Sequence, residues 1–289
     1  MILITGATGN GGRPLVDLLI SQRAQVRALS RDPSSAGLPA GVDLVGDDPS
    51  RPAAIAAALQ GVDAVFVNPR AVGGAGAELL LLARHAGVRK VVVLSAINVD
   101  DDFSRQPSRF RGDRNKEAED AAIASGLDWI SLRPTTFATN AIGLWGAQIR
   151  AGDCVRGPYA DATEASIDPR DVAAVACAAL LTDTLVGRRI SLTGPTSLTQ
   201  RETVARIGGA VGKTIRYQEV SPQATQQAMS TLGFPAEFVA ANLARLAASV
   251  GRPAPVSEEF EQILGRPPIS FDRWAADHAQ AFRQQGATA

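Results

Sequence analysis

Seven residues near the start of the chain narrow its fold more than any others. Gly6-Ala7-Thr8-Gly9-Asn10-Gly11-Gly12 follows the apolar stretch Met1–Thr5 and precedes Leu15, Leu18 and Leu19, which share one helical face. The order is strand, G-x-x-G-x-x-G turn, helix. In that context the glycines permit a tight turn and let the backbone approach a pyrophosphate. The helix N-terminus presents unpaired N–H groups to the anion. Pro14 fits the first helical turn, where a residue without an N–H is tolerated. The loop predicts a dinucleotide site at Gly6, Thr8, Gly9, Asn10, Gly11 and Gly12.

The rest of the first half keeps the same rhythm. Strands are predicted at Gln25–Ser30, Val42–Val45, Val62–Val67, Lys90–Leu94 and Trp129–Leu132. Helices are predicted at Pro52–Gln60, Ala77–Ala86 and Asn115–Ser125. Strands alternating with helices imply an α/β fold, a doubly wound parallel sheet of Rossmann type. After Asn140 the pattern changes to a helix at Asp171–Leu181, a strand at Arg189–Thr193, a helix at Thr199–Gly209 and a strand at Thr214–Val220. Beyond that the chain reads as helical with Pro breaks at Pro235, Pro253, Pro255, Pro267 and Pro268. The expected division is a dinucleotide-binding domain over 1–140 and a smaller α/β substrate lobe over 141–289, with segments free to return to the main sheet.

The end of the second predicted strand selects the cofactor. NAD-preferring sites place Asp or Glu there to bond the ribose 2′-OH. Here the strand ends Ser30-Arg31-Asp32, and Pro33 assigns Asp32 to the following turn. A guanidinium matches a 2′-phosphate in charge and fork geometry. NADPH is expected over NADH.

Composition removes other classes. Lys+Arg 29 balance Asp+Glu 29, so no overall field draws the chain to nucleic acid or an anionic membrane. The two cysteines, Cys154 and Cys177, form no C-x-x-C, and His85 and His278 lie in no metal-binding spacing. No metal site, no disulfide framework and no Ser-His-Asp triad is expected. The longest apolar run, Val172–Leu181, is about half the length a membrane span needs. Gly208–Thr214 looks like the end of a P-loop, but Ile207 stands where its first glycine belongs. Asp100–Asp102 reads as a solvated loop and Asp168–Asp171 as helix capping. The expectation is a cytoplasmic monomer or homodimer that handles a small molecule.

The chain resembles the NmrA-like family of atypical short-chain dehydrogenases/reductases. The matching pieces are Ile4–Asn10, Val26–Pro33, Gly46-Asp47, Val92–Ala96, Ser125–Trp129, Leu132-Arg133-Pro134 with Asn140, and Leu192–Pro195. They span nearly the whole chain. The resemblance implies a pyrophosphate at Gly6–Gly12, the 2′-phosphate at Arg31, the adenine beside Asp47 and a ribose beside Asn68 and Pro69. Around the nicotinamide it places Ser95, Lys116, Pro134, Thr135, Thr136 and Phe137.

The family tyrosine is missing. Short-chain dehydrogenases use Tyr-x-x-x-Lys with a serine, the lysine tuning the tyrosine as a general acid. Lys116 and Ser95 are the candidate lysine and serine, but Gly112 stands where the tyrosine belongs. Neither Tyr159 nor Tyr217 has a lysine at the required spacing. Arg109, Phe110 and Arg111 near this gap read as a solvated loop or as a grip on an anion. Phe137 and Trp145 read as core or pocket wall. The resemblance implies an NADPH-dependent oxidoreductase passing hydride to a small quinone- or carbonyl-type acceptor. The missing tyrosine leaves open a catalytically silent NADP(H)-binding sensor that regulates a partner.

Overall fold

A computed structural model of the chain describes residues 1–283. It begins β1 (Ile2–Ile4), α1 (Gly12–Ser21), β2 (Val26–Ser30), β3 (Asp43–Gly46), β4 (Ala64–Val67), α2 (Pro69–Val72), α3 (Gly76–His85) and β5 (Lys90–Leu94). It continues α4 (Asn115–Ala124), β6 (Asp128–Pro134), α5 (Asn140–Ala151), β7 (Cys154–Gly157), β8 (Thr163–Glu164), α6 (Pro169–Leu181) and β9 (Arg189–Leu192). The remainder is β10 (Leu198–Thr199), α7 (Gln200–Val211), β11 (Arg216–Glu219), α8 (Pro222–Thr231), α9 (Ala236–Ser249), α10 (Glu259–Leu264), α11 (Phe271–Asp277) and α12 (Ala279–Phe282).

These elements form two compact units that interleave in sequence. The first holds Met1–Asp100, Gly112–Pro134 and Pro169–Leu192. The second holds Asp101–Arg111, Thr135–Asp168 and the described residues from Thr193 onward. Where the sequence draws one boundary near residue 140, α6 and β9 lie with the first unit and 101–111 with the second.

The first unit is built on a seven-stranded sheet in the order β3-β2-β1-β4-β5-β6-β9. Every pair is parallel. The strands are short and apolar because both faces are covered, as a doubly wound sheet requires. Leu3, Val65, Val67, Val91 and Val93 form a core with Leu79, Leu80 and Ala83 of α3 and Ala118 and Ala122 of α4. On α1, Leu15, Val16 and Leu19 are buried, and this helix packs against α6. The strand order reverses at β1, between β2 and β4. Open α/β sheets bind ligands at the carboxyl edge of such a switch point.

One buried cation sits in this sheet. The Lys90 side chain of β5 is 2% exposed. Its Nζ donates to the carbonyls of Ala179 at 3.2 Å and Thr182 at 2.6 Å, and pairs with Asp183 at 2.6 Å. Lysine at a helix C-terminus satisfies carbonyls that have no intrahelical partner. Lys90 does this for α6 from the neighbouring strand.

The second unit packs α5, α7, α11 and α12 around Trp145, Ile149, Val204, Ile207 and Trp274. Two small sheets belong to it, β10 antiparallel to β8 and β11 parallel to β7. Trp274 is fully buried, with Phe271 at 5.1 Å and His278 at 4.8 Å between ring centroids. A capping box starts α7 from Thr199 and Glu202, and Gly212 ends it in the left-handed conformation.

Several elements differ from the sequence reading, which has no strand at β7, β8 or β10. Pro52–Gln60 is not an α-helix but turns leading into a single 3-10 turn, Ala56–Leu59. Within the segment Pro52, Ile55, Ala58 and Leu59 are buried. A segment this short that opens on proline does not hold an α-helix on alanine propensity alone, even with one side packed. Conversely, α5 forms although Gly143 and Gly146 lie inside it. Gly146 faces close neighbours there, since a Cβ would lie 3.0 Å from Arg150 Nη1.

Candidate functional site

The glycine loop lies between β1 and α1 at the switch point. Gly6 has φ +70° and faces Asn68, which follows β4; a Cβ at Gly6 would come 2.7 Å from Asn68 Nδ2. A Cβ at Gly12 would come 2.1 Å from the Gly6 carbonyl oxygen. These two positions therefore require glycine. Thr8, Gly9 and Asn10 form the exposed tip of the loop. The Arg13 and Leu15 N–H groups donate to the Gly9 and Gly11 carbonyls, and Pro14 has no N–H. No side chain caps α1. Among the described residues this leaves the Gly11 and Gly12 N–H groups without an acceptor, at the positive end of a helix that starts with no acidic residue. An anion is the ligand such a terminus takes.

Asn68 and Pro69 are fixed from the same point. Thr5 Oγ1 donates to the Phe66 carbonyl at 3.0 Å and accepts from the Asn68 N–H at 2.8 Å. Asn68 Oδ1 caps α2 by accepting from Arg70 N–H at 3.0 Å, with buried Pro69 as the first helical residue.

At the carboxyl end of β2, Arg31 and Asp32 divide sharply. Asp32 Oδ1 accepts from Ser34 Oγ at 2.6 Å and Oδ2 from Ser35 Oγ at 2.7 Å. These hydroxyls hold the Asp32 carboxyl below its ordinary range. Ser30 Oγ closes the turn by donating to the Asp32 carbonyl at 2.9 Å. Arg31 is exposed and makes no hydrogen bond or ion pair among the described residues. Its charge does help lower Asp48, after the larger effect of the bonds from Ser50. Asp47 follows β3, with its N–H on the Ser30 carbonyl and its carboxylate accepting from the Asp48 N–H at 3.0 Å. A free guanidinium beside an acid already engaged in its own turn suits a phosphate on the ribose better than a bare hydroxyl. The orphan N–H groups, the two obligatory glycines and Arg31 together fit a phosphorylated dinucleotide.

Ser95 and Lys116 lie in the same unit with different surroundings. Ser95 follows β5, and its N–H donates to the Leu132 carbonyl at 2.7 Å. Among the described residues its buried hydroxyl meets no acceptor in good geometry, yet it lies close enough to help lower the Glu119 carboxyl. Lys116 Nζ pairs with Asp120 at 2.7 Å and with Asp100 at 3.7 Å. The Asp120 bond raises its pKa, so it stays a fixed cation.

Between them is a group the sequence reading missed as a centre. Glu119 is 1% exposed. It accepts from Ser131 Oγ and from Arg133 Nε at 3.0 Å, with Arg189 Nε at 3.3 Å. Arg133 also reaches Asp100 at 2.9 Å. Burial raises the Glu119 carboxyl, but the bonds from Arg133 and Ser131 outweigh it and leave it at about 2. The available signal was two charges, Glu119 and Arg133, at positions whose periodicity faces the core.

Pro134 ends β6 in the first unit; Thr135 and Phe137 belong to the second. Thr135 Oγ1 donates to the Ala165 carbonyl at 2.7 Å, and Phe137 bridges to Ile167. Phe137, Leu144, Trp145 and Phe271 line a crevice with Thr136 and Gln200. In the same unit Tyr217 donates its hydroxyl to the Pro158 carbonyl at 2.8 Å, and burial pushes its pKa up. It is a structural hydroxyl and no proton source. Arg109 stacks over Phe103 and Arg111 over Phe234 and Phe238, all within this unit.

Known proteins resemble the chain along nearly its whole length. The chain is 36% identical over 98% of its length, and 99% of the relative's, to (4-alkanoyl-5-oxo-2,5-dihydrofuran-3-yl)methyl phosphate reductase of Streptomyces griseus. It is 32% identical to the NAD(P)H azoreductase of Xenophilus azovorans, covering 98% of this chain and 99% of that one. Among solved structures, the NADPH complex of an NADPH-dependent quinone oxidoreductase from Escherichia coli superposes with TM-score 0.82. It is 23% identical and covers 96% of this chain and 99% of that one. Residues 6–183 match the NAD(P)H-binding family, from the first glycine of the loop to the aspartate that pairs with Lys90. The chain belongs to that NAD(P)H-binding family.

Proposed function

We propose that this NAD(P)H-binding protein is an NADPH-dependent reductase whose acceptor is an electron-poor conjugated system. The observation that carries this reading is that the acid of the Tyr-x-x-x-Lys motif is missing from the sequence. The tyrosine position is Gly112, Tyr217 is bonded to a carbonyl, and Lys116 is held as a cation. An isolated carbonyl needs a proton at its oxygen as hydride arrives. A conjugated acceptor does not, because the negative charge spreads away from the carbon or nitrogen attacked and solvent can neutralise it. The named acceptors of the relatives fit this class: a dihydrofuranone with an acyl group on its double bond, an azo bond and a quinone.

When bound, NADPH supplies the hydride, two electrons with one proton, and the acceptor takes its second proton from water. The chain's part is to bind and orient. Gly6 to Gly12 hold the pyrophosphate on the α1 terminus, Arg31 takes the 2′-phosphate, and Asp47, Asn68 and Pro69 border the adenosine and ribose. Ser95 and Pro134 border the nicotinamide end, where Lys116 acts as a fixed positive charge. Purified protein with NADPH, followed at the nicotinamide absorbance against 1,4-benzoquinone, a 2-acylbutenolide, an azobenzene and benzaldehyde, tests the reading. Turnover of the conjugated compounds with little of benzaldehyde is expected. Preference for benzaldehyde, or oxidation of NADPH by none of them, would overturn it.

A further inference from the structure

The turn after β2 is tied to the glycine loop by a residue with no role so far. Arg13 is the second residue of α1, directly after Gly12. Its guanidinium reaches back across the chain. Nη1 donates to the Gly37 carbonyl at 2.6 Å and Nη2 to the Ala36 carbonyl at 2.7 Å. Ala36 is 1% exposed, and its N–H donates to the Pro33 carbonyl at 3.3 Å. Pro33 in turn lies against Gly46 at the end of β3, where a Cβ would come 2.8 Å from Pro33 Cγ. Asp32 to Gly37 is thus held at one end by Pro33 and its serines, and at the other by Arg13.

We propose that Arg13 is a positioning residue for cofactor choice, fixing this turn so that Arg31 is presented to the adenosine 2′-phosphate. The proposal rests on the reading that Arg31 meets that phosphate. A planar guanidinium donates to two successive carbonyls at once, and a lysine ammonium has no such fork. Without it, the Ala36 and Gly37 carbonyls lose their donors and the turn its tie to α1. Arg31 then has to be ordered by the ligand itself, and ordering a side chain and loop on binding weakens affinity. The loss falls on ligands carrying the 2′-phosphate, because the pyrophosphate contacts come from the glycine loop.

Calorimetric titration of the full chain with 2′,5′-ADP and with 5′-AMP separates the two halves of the interaction. Arg13→Ala is expected to weaken 2′,5′-ADP tenfold or more and 5′-AMP less than twofold. Arg13→Lys, which keeps the charge and stem, is expected to recover less than a third of that loss. It also carries the test if Arg13→Ala does not fold. In an Arg31→Ala background, removing Arg13 should cost 2′,5′-ADP less than twofold, since the positioned group is gone. Equal weakening of both probes, no weakening, full rescue by lysine, or an undiminished loss without Arg31 would each overturn the proposal. Arg31→Ala alone is the separate check: an unchanged preference for 2′,5′-ADP over 5′-AMP would sink the Arg31 reading itself, whatever Arg13 does.

Discussion

Two adjacent residues of opposite charge, Arg31 and Asp32, meet different fates within one turn. The acid is taken by Ser34 and Ser35, and the base is left to solvent. Arg31→Ala is therefore expected to raise the Kd for NADPH by about tenfold to a hundredfold, the worth of a charge-assisted pair, and that for NADH less than twofold. Direct titration of both cofactors checks this, and equal losses would show that Arg31 reads no phosphate. Glu119 makes a second residue-level expectation. Its folded carboxyl lies at about 2 against an ordinary 4.5. A depressed carboxylate stabilises the fold fully above the unfolded value and loses that contribution as pH falls through the folded one. Glu119→Gln leaves the Arg133 and Arg189 charges poorly matched and should cost about 3 kcal/mol near neutral pH. In denaturant melts, the gap between wild type and variant should narrow between pH 4.5 and 2. A gap independent of pH there would mean that the ionised carboxylate is not what stabilises.

At the scale of elements, Lys90 shows how a strand and a helix hold each other. Its Nζ is the donor for the Ala179 carbonyl in the last turn of α6 and for the Thr182 carbonyl just beyond it. Lys90→Met keeps the apolar stem but removes those donors, and should lower unfolding free energy by about 2 kcal/mol; urea titration measures it, and an unchanged midpoint would refute the capping role. The sequence displayed the sheet strands well, because Val91–Leu94 and Ala64–Val67 are continuous apolar runs, and the helices α3 and α4 after them stop just short of Gly87 and Gly126. It displayed Pro52–Gln60 poorly, because alanine propensity promises a helix in a segment too short to sustain one. It hid α5, since Gly143 and Gly146 look like breaks until the close approach at Gly146 is seen. In the candidate site, the glycine loop and Arg31 were legible because backbone clearance and charge are local properties. The Glu119–Arg133–Arg189 group was not, because its members come from α4, β6 and β9 and meet only through the sheet.

For the whole molecule, the units are discontinuous in sequence. β6 ends at Pro134, and the strand that pairs with it, β9, begins at Arg189. The last partners of Lys90 and Glu119 come from that late segment, at Thr182, Asp183 and Arg189. As the chain leaves a ribosome, β1 to β6 emerge well before α6 and β9. For that interval β6 is an open sheet edge, Lys90 has no carbonyls to cap and one face of the valine-rich strands lacks its helix. Unpaired edges and exposed apolar faces are where folding intermediates associate. A fragment ending at residue 140 should accordingly be insoluble, and one extended to residue 193 markedly less so, as sedimentation of the two expressed fragments would show; a soluble, folded short fragment would contradict it. The placement of one edge strand thus makes the maturation of the cofactor-binding half wait on residues made long after its own glycine loop.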